Sequence, residues 1–187
     1  VALIICALDR SAHDRTAFQC GNPDLEDFLQ TKAAKHQAQR ISRTFVLVSE
    51  ADPGRILGFY SLSNCQIDRQ LLTETVGKTL PRHPIPAVML GRLAVDKREQ
   101  GKRLGTWLLM DALKRTVLVG QQSGVFALVV DAADAKARDF YLRHGFLAMA
   151  DRPLTLYLPL ETGLRAMRAF RHDVTATAST ASASGTE

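Results

Sequence analysis

The sequence predicts a single α+β domain, one mixed sheet of about six to seven strands flanked by helices. Three observations predict it. Apolar runs with strand character alternate with helical patterns in the order strand, helix, two hairpin strands, loop, strand, glycine turn, helix, strand, helix, two strands. No internal repeat and no second core-sized segment interrupts that order, so the elements share one sheet. A composition of 46% hydrophobic and 23% charged residues in 187 is that of one folded domain rather than a mainly disordered chain. The domain is assigned to residues 1–170. Residues 171–187, nearly devoid of large apolar groups, read as a low-complexity, disordered tail.

The elements follow in order. "LIICAL" is a β-like run, too short and poorly flanked for a signal peptide. "NPDLEDFLQTKAAKHQAQR" opens with a cap-and-proline signal at Asn22 and Pro23 and continues as a helix with Leu25, Phe28 and Leu29 on one face. "RTFVLVSE" and "RILGFYSLSNCQI", separated by the turn "ADPG", form an antiparallel hairpin. The proline-rich stretch around His83 is a surface excursion. "PAVMLGRLAV" resumes as a strand, and Gly91 inside it signals a bulge or a close backbone approach. Leu104 to Val119 is a helix whose apolar stripe includes Leu104, Trp107, Leu108, Ala112, Leu113 and Val117, which places Trp107 in the core. "VFALVV" is a central strand buried on both faces. "DAKARDFYLRHGF" is a helix between an N-cap at Asp134 and a C-cap at Gly145. "FLAMA" and "LTLYLPL" are the closing strands, and "GLRAMRAF" a last short helix.

The net charge of +5 favours an anionic partner. Cys6, Cys20 and Cys65 are odd in number and far apart, without a CxxC pair, so neither a disulfide framework nor a zinc site is indicated; a reducing cytoplasm fits. No apolar run is long enough to cross a bilayer.

"VDKREQGKRLGTWLL" ends a strand, turns through two glycines among basic residues and enters a helix. Such a loop offers unpaired N–H groups and a positive dipole end to an anion, although many similar turns only join a strand to a helix. Taken with "DAADAKARDFYLRHGF" about thirty residues on, it resembles the GNAT acetyltransferase superfamily. The family's phosphate-loop pattern falls on Arg98, Gly101 and Arg103, where Arg103 replaces the usual glycine or alanine. Its second motif falls on Tyr141, Gly145 and Phe146. "FQCGNPDLEDFL", "LGRLAVD" and "ARDFYLRHGF" together resemble the tRNA-acetylating toxins of type II toxin-antitoxin modules, over nearly the whole chain to about Phe170.

The resemblance implies acetyl-CoA as cosubstrate, aminoacyl-tRNA as acceptor, a ribbon-helix-helix antitoxin as partner and a homodimer. It implies that Leu93, Ala94 and Val95 pair with the pantetheine arm and supply an oxyanion N–H. Arg98, Glu99, Gln100, Gly101, Lys102, Arg103, Leu104, Gly105 and Thr106 then cradle the pyrophosphate, and Asp134, Ala137 and Phe140 complete the cofactor contacts. Tyr141 protonates the departing thiolate. Lys32, Lys35, Arg40, Arg43 and Arg92 are the cations available to a tRNA acceptor end, or else a solvated basic face. Arg103 is tolerable between the glycines if its backbone keeps negative φ. Two rival readings remain: a GNAT enzyme for a small-molecule or protein amine, and a non-catalytic module that binds RNA or protein.

Overall fold

In the computed structural model, which describes residues 2–165, 167 and 168, seven strands pair into one sheet. They are β1 (Leu3–Ala7), β2 (Arg43–Ser49), β3 (Gly58–Ile67), β4 (Ile85–Val95), β5 (Ala127–Asp131), β6 (Leu147–Met149) and β7 (Arg152–Pro159). Their spatial order is β1-β2-β3-β4-β5-β7-β6, antiparallel throughout except for the parallel pair β4–β5. A parallel pair needs a crossover, and α4 (Leu104–Gly120) supplies it. Residues 171–187, expected to be disordered, lie outside the described part of the chain. The expected last helix is present over 160–165, 167 and 168.

Strand alternation divides the core into two faces. Phe45, Leu47 and Tyr60 point to the side covered by α4, whose Leu108, Leu109, Ala112 and Leu113 are buried there with Leu128 and Val130. Val46, Val48, Phe59 and Ala94 point the other way, onto α1 (Pro23–Asp27), a π turn (Phe28–Lys32) and α2 (Ala33–Ala38). The sequence reads 22–40 as one helix, whereas the helical part ends at Ala38. The π turn widens it so that Phe28, Leu29 and Ala33 are all buried against the sheet. Two short pieces, the 3-10 turn Arg69–Leu71 and α3 (Glu74–Gly77), occupy the surface excursion after β3.

Two glycines set the geometry of β3 and β4. A Cβ on Gly58 would stand 2.9 Å from Leu108 Cδ1 and 3.0 Å from the Ala94 carbonyl, so a glycine is needed for α4 to approach the sheet. Gly91 is the extra residue of a β-bulge, because Ser61 pairs with Arg92 while Leu62 pairs with Leu90.

Trp107 corrects the core assignment made from periodicity: it is 45% exposed. The positions α4 buries are Leu108, Leu109, Ala112, Leu113 and Thr116, a narrower face than the apolar stripe, and Trp107 lies on its flank. There it lines a groove of about 440 Å³ with Leu3, Ile5, Met110 and Met167.

Candidate active site

β4 and β5 begin side by side and then part. Their pairing runs from Ala87–Ala127 to Leu90–Val130, where the Gly91 bulge bends β4 away. β4 continues to Val95 with its outer edge uncovered, and a cleft of about 410 Å³ opens in the wedge. Backbone direction follows from the ladder on the other side. The Asp96 N–H donates to the Leu57 carbonyl at 2.9 Å, so by alternation Ala94 and Arg92 turn their backbone groups toward β3. Leu93 and Val95 therefore present theirs to the wedge.

At one mouth of this cleft the chain runs from Asp96 into α4. Gly101 (φ +82°) and Arg103 (φ +61°) are left-handed on either side of Lys102, a backbone alternation that points successive N–H groups into one concavity. Among the described residues, no acceptor meets the N–H groups of Gly101 through Thr106, while the next one, of Trp107, donates to the Arg103 carbonyl. The concavity thus joins the unpaired first turn of a long helix, the arrangement that suits a pyrophosphate. The expectation that Arg103 keeps negative φ is corrected: the nest requires a left-handed residue just before α4, and Arg103 adopts that conformation despite its Cβ.

The loop is braced mainly by its own side chains. Arg98 holds Asp96 bidentately, Glu99 accepts from Arg55 at 2.7 Å and Lys102 at 2.6 Å, and Gln100 donates to the carbonyls of Cys20 and Val95. What Arg98, Glu99 and Gln100 leave toward a ligand is backbone. Asp134 is likewise engaged, capping α5 (Ala135–Arg143) by accepting from the Ala137 N–H at 2.8 Å, with Ala137 and Phe140 beside it on the cleft wall.

Tyr141 projects from α5 between the rings of Phe140 and Phe146 and is 6% exposed; it lines the cleft, and burial pushes its phenol above the ordinary value. Among the described residues its hydroxyl has no hydrogen-bond partner, so the proton is free to move toward a group in the cleft. His144, the C-cap of α5 just before the left-handed Gly145, lies 2.8 Å from the Phe140 carbonyl through Nδ1. That contact makes Nδ1 the donor and leaves Nε2 to accept from the Thr106 hydroxyl at 3.3 Å, tying α5 to the first turn of α4.

The opposite wall is built by the N-terminal motif. Glu26 accepts from the N–H groups of Cys20 and Gly21, both at 2.8 Å, and Asn22 caps α1 through Asp24 and Leu25. The Gln19 carbonyl accepts from the Lys97 N–H at 2.7 Å, fastening this wall to the nest loop. Cys20, Asn22 and Leu25 line the cleft. They were missed as site residues because their signal in the sequence is a helix cap, which says nothing about what the cap faces.

The five basic candidates do not converge. Lys32 pairs with Asp27 at 2.5 Å. Lys35 borders a groove of about 820 Å³ with Arg10 and Arg15, two cations outside the five candidates. Arg40 and Arg43 border another with Arg115. Arg92 alone of the five lines the cleft. All three cysteines are free thiols. No helix among the described residues is long and apolar enough to cross a membrane.

A wedge between two parallel strands, leading to an N–H nest at a helix start, defines an acyl-CoA-binding acetyltransferase fold. The family model for the acetyltransferase (GNAT) domain matches residues 41–147, and the chain belongs to that family. It is 37% identical to a tRNA-acetylating toxin of Mycobacterium tuberculosis (strain ATCC 25618 / H37Rv), over 79% of this chain and 86% of that one. It is 30% identical to a probable toxin TacT of Sinorhizobium fredii (strain NBRC 101917 / NGR234), over 85% and 92%. Among solved structures, a tyrosine-to-phenylalanine mutant of KacT superimposes with a TM-score of 0.83 at 31% identity, covering 87% of this chain and 98% of that one. AtaT complexed with acetyl-methionyl-tRNAfMet gives 0.81 at 29%, covering 86% and 96%. An AtaT mutant bound to the C-terminus of the antitoxin AtaR and acetyl-CoA gives 0.74 at 27%, covering 86% and 95%.

Proposed function

We propose that this acetyltransferase is a toxin that transfers acetyl from acetyl-CoA to the amino group of aminoacyl-tRNA and so blocks translation. The observation that carries the reading is the cleft between β4 and β5, with an anion nest at one mouth and Tyr141 in its wall. A tRNA-acetylating relative and AtaT complexed with acetyl-methionyl-tRNAfMet support the choice of acceptor.

Acetyl-CoA, when bound, supplies the acetyl thioester. The N–H groups of Gly101 through Thr106 hold its pyrophosphate, with Lys102 and Arg103 adding positive charge. The Leu93 N–H, directed into the wedge, donates to the thioester oxygen as that oxygen gains charge. Tyr141 gives its proton to the departing sulfur. No strong base is needed on the acceptor side, because an α-amino group with a reference pKa of about 7.7–8.0 is already partly neutral at physiological pH. Arg10, Arg15 and Lys35 in one groove and Arg40 and Arg43 in another, both separate from the cleft lining, offer positive charge to the body of the tRNA. An antitoxin of the ribbon-helix-helix type, a homodimer and a cytoplasmic location complete the reading.

Wild type and Tyr141→Phe, induced in cells and incubated with charged tRNA and labelled acetyl-CoA, test it. We expect growth arrest and a labelled aminoacyl end with the wild type, and transfer slowed by about 10²- to 10⁴-fold in the variant. Label on free amines but not on charged tRNA would identify a small-amine acetyltransferase. Absence of acetyl-CoA binding would identify a binding module.

A further inference from the structure

Among the described residues two arginines stand over aromatic rings, and only one has a carboxylate. Arg115 stands 4.0 Å from the Phe45 ring centroid and donates to Asp111 at 2.8 Å, a complete internal arrangement. Arg92 stands 3.9 Å from the Phe28 centroid, half-buried, and among the described residues its guanidinium has neither a carboxylate nor a carbonyl partner. A partly desolvated cation held only by an aromatic face keeps its N–H fork available for an anion. Phe28 is itself fixed, stacked on Phe59 at 6.2 Å and meeting the His36 ring edge-on at 5.6 Å, so the guanidinium sits on a rigid ledge at the cleft.

The face of the sheet decides which anion. Leu93 and Val95 pack with α4, whereas Ala94 packs with Phe28 on the opposite face, and Arg92 shares the parity of Ala94. The nest lies at the start of α4, while Arg92 lies over the π turn. Lys136 and Arg143, cleft cations without a carboxylate partner, belong to α5, beside α4. The two anion-ready features therefore stand on opposite faces of the sheet, both bordering one cleft. A donor whose pyrophosphate occupies the nest leaves Arg92 to the acceptor.

We propose that Arg92, seated on Phe28, binds a phosphodiester in the terminal nucleotides of the acceptor and so positions the aminoacyl amine in the cleft. The proposal rests on aminoacyl-tRNA being the acceptor. A planar guanidinium can engage two phosphate oxygens at once, which fixes orientation as well as charge. Lysine in its place would keep the charge but lose both the fork and the stacking on Phe28.

The test compares three acceptors carrying the same amino acid: charged tRNA, an aminoacyl-CpA dinucleotide with one phosphodiester, and aminoacyl-adenosine with none. Wild type, Arg92→Ala and Arg92→Lys are assayed on each, with acetyl-CoA affinity measured directly as the control for folding and for the donor site. We expect Arg92→Ala to lower kcat/KM on charged tRNA and on aminoacyl-CpA by about thirtyfold, with a loss on aminoacyl-adenosine at least tenfold smaller. Arg92→Lys falls between, and acetyl-CoA affinity stays within about twofold of wild type. Equal losses on all three acceptors, or loss of acetyl-CoA binding, overturn the assignment of Arg92 while leaving the tRNA reading in place. A wild type inert on charged tRNA overturns both.

Discussion

Arg98 closes on the carboxylate of Asp96 with two hydrogen bonds, Nε to Oδ1 at 2.9 Å and Nη2 to Oδ2 at 3.0 Å. The Asp96 side chain is fully buried, whereas that of Arg98 is half exposed, so the arginine acts as a lid over a buried charge. The Arg98 N–H adds a third bond at 3.0 Å. This pair fixes the turn between β4 and the nest.

The consequence is a stability that depends on acid. The Arg98 guanidinium holds the Asp96 carboxyl well below the ordinary 3.8, down to about 2. A carboxyl whose folded value is depressed contributes fully above the unfolded value and loses its contribution as pH falls through the folded one. We expect the contribution of Asp96 to be constant from neutrality to about pH 4 and to disappear between about pH 4 and 2. Asp96→Asn costs about 2 kcal/mol at pH 7 and removes that part of the acid dependence, as denaturant titrations of both proteins at several pH values will show.

Arg103 carries a different cost. A non-glycine residue in the left-handed region is strained by about 1–2 kcal/mol, and glycine there gives part of that back as freedom in the unfolded chain. Arg103→Gly is therefore expected to raise the melting temperature, with a net gain below about 1 kcal/mol, while acetyl-CoA binding stays within tenfold, about 1.4 kcal/mol. Arg103→Ala removes the same side chain without relieving the strain, so it should not share the thermal gain. Calorimetric titration with acetyl-CoA checks the rest: a loss beyond tenfold in both variants would make the side chain a principal phosphate ligand.

The contrast between these two residues shows what could be read from the sequence. Caps and breakers act locally: Asn22 and Asp134 cap their helices, the bulge falls at Gly91, and Gly145 takes its left-handed turn one residue past the C-cap His144. The order of elements along the chain and the central position of β5 follow from run length and apolar content, whereas the order of strands across the sheet is set by tertiary pairing. At Arg103 the usual rule assigns positive φ to glycine, and the loop geometry that forms the nest overrides that preference. At Trp107 periodicity gives the apolar stripe but not how much of it the sheet covers. Arg10 and Arg15 join Lys35, and Arg92 meets Phe28, only through tertiary packing, which leaves no spacing signal along the chain.

The protonation of Tyr141 sets the alkaline side of the activity. Burial moves its phenol above the ordinary 10, so the neutral, proton-donating form persists throughout the accessible range. The attacking amine must instead be deprotonated, with a reference pKa of about 7.7–8.0. We expect kcat/KM on charged tRNA to rise with pH through that region and then to stay level, with no descending limb below about pH 10. Rapid-quench assays, short enough to outrun hydrolysis of the aminoacyl ester, measure it. A descending limb centred below pH 9 would show that another group gives the proton.

Gly58 lies on β3, away from the cleft lining, yet it governs how closely α4 approaches the sheet. The added Cβ of Gly58→Ala would meet the Ala94 carbonyl at 3.0 Å and Leu108 at 2.9 Å. The leucine can turn, but the carbonyl belongs to β4, whose position also defines the wedge, so the strain passes to the helix. Overpacking of this kind costs about 1–3 kcal/mol. Because the nest includes the first turn of α4, displacement of the helix spreads its N–H groups, and acetyl-CoA affinity should fall by about tenfold along with the melting temperature. Gly54→Ala, whose Cβ meets nothing closer than 3.4 Å, is the matched control and should change neither. Thermal melts and acetyl-CoA titrations of the two variants decide it: a Gly58→Ala protein destabilised but binding acetyl-CoA normally would mean that the nest is held by its own loop rather than by the seating of α4.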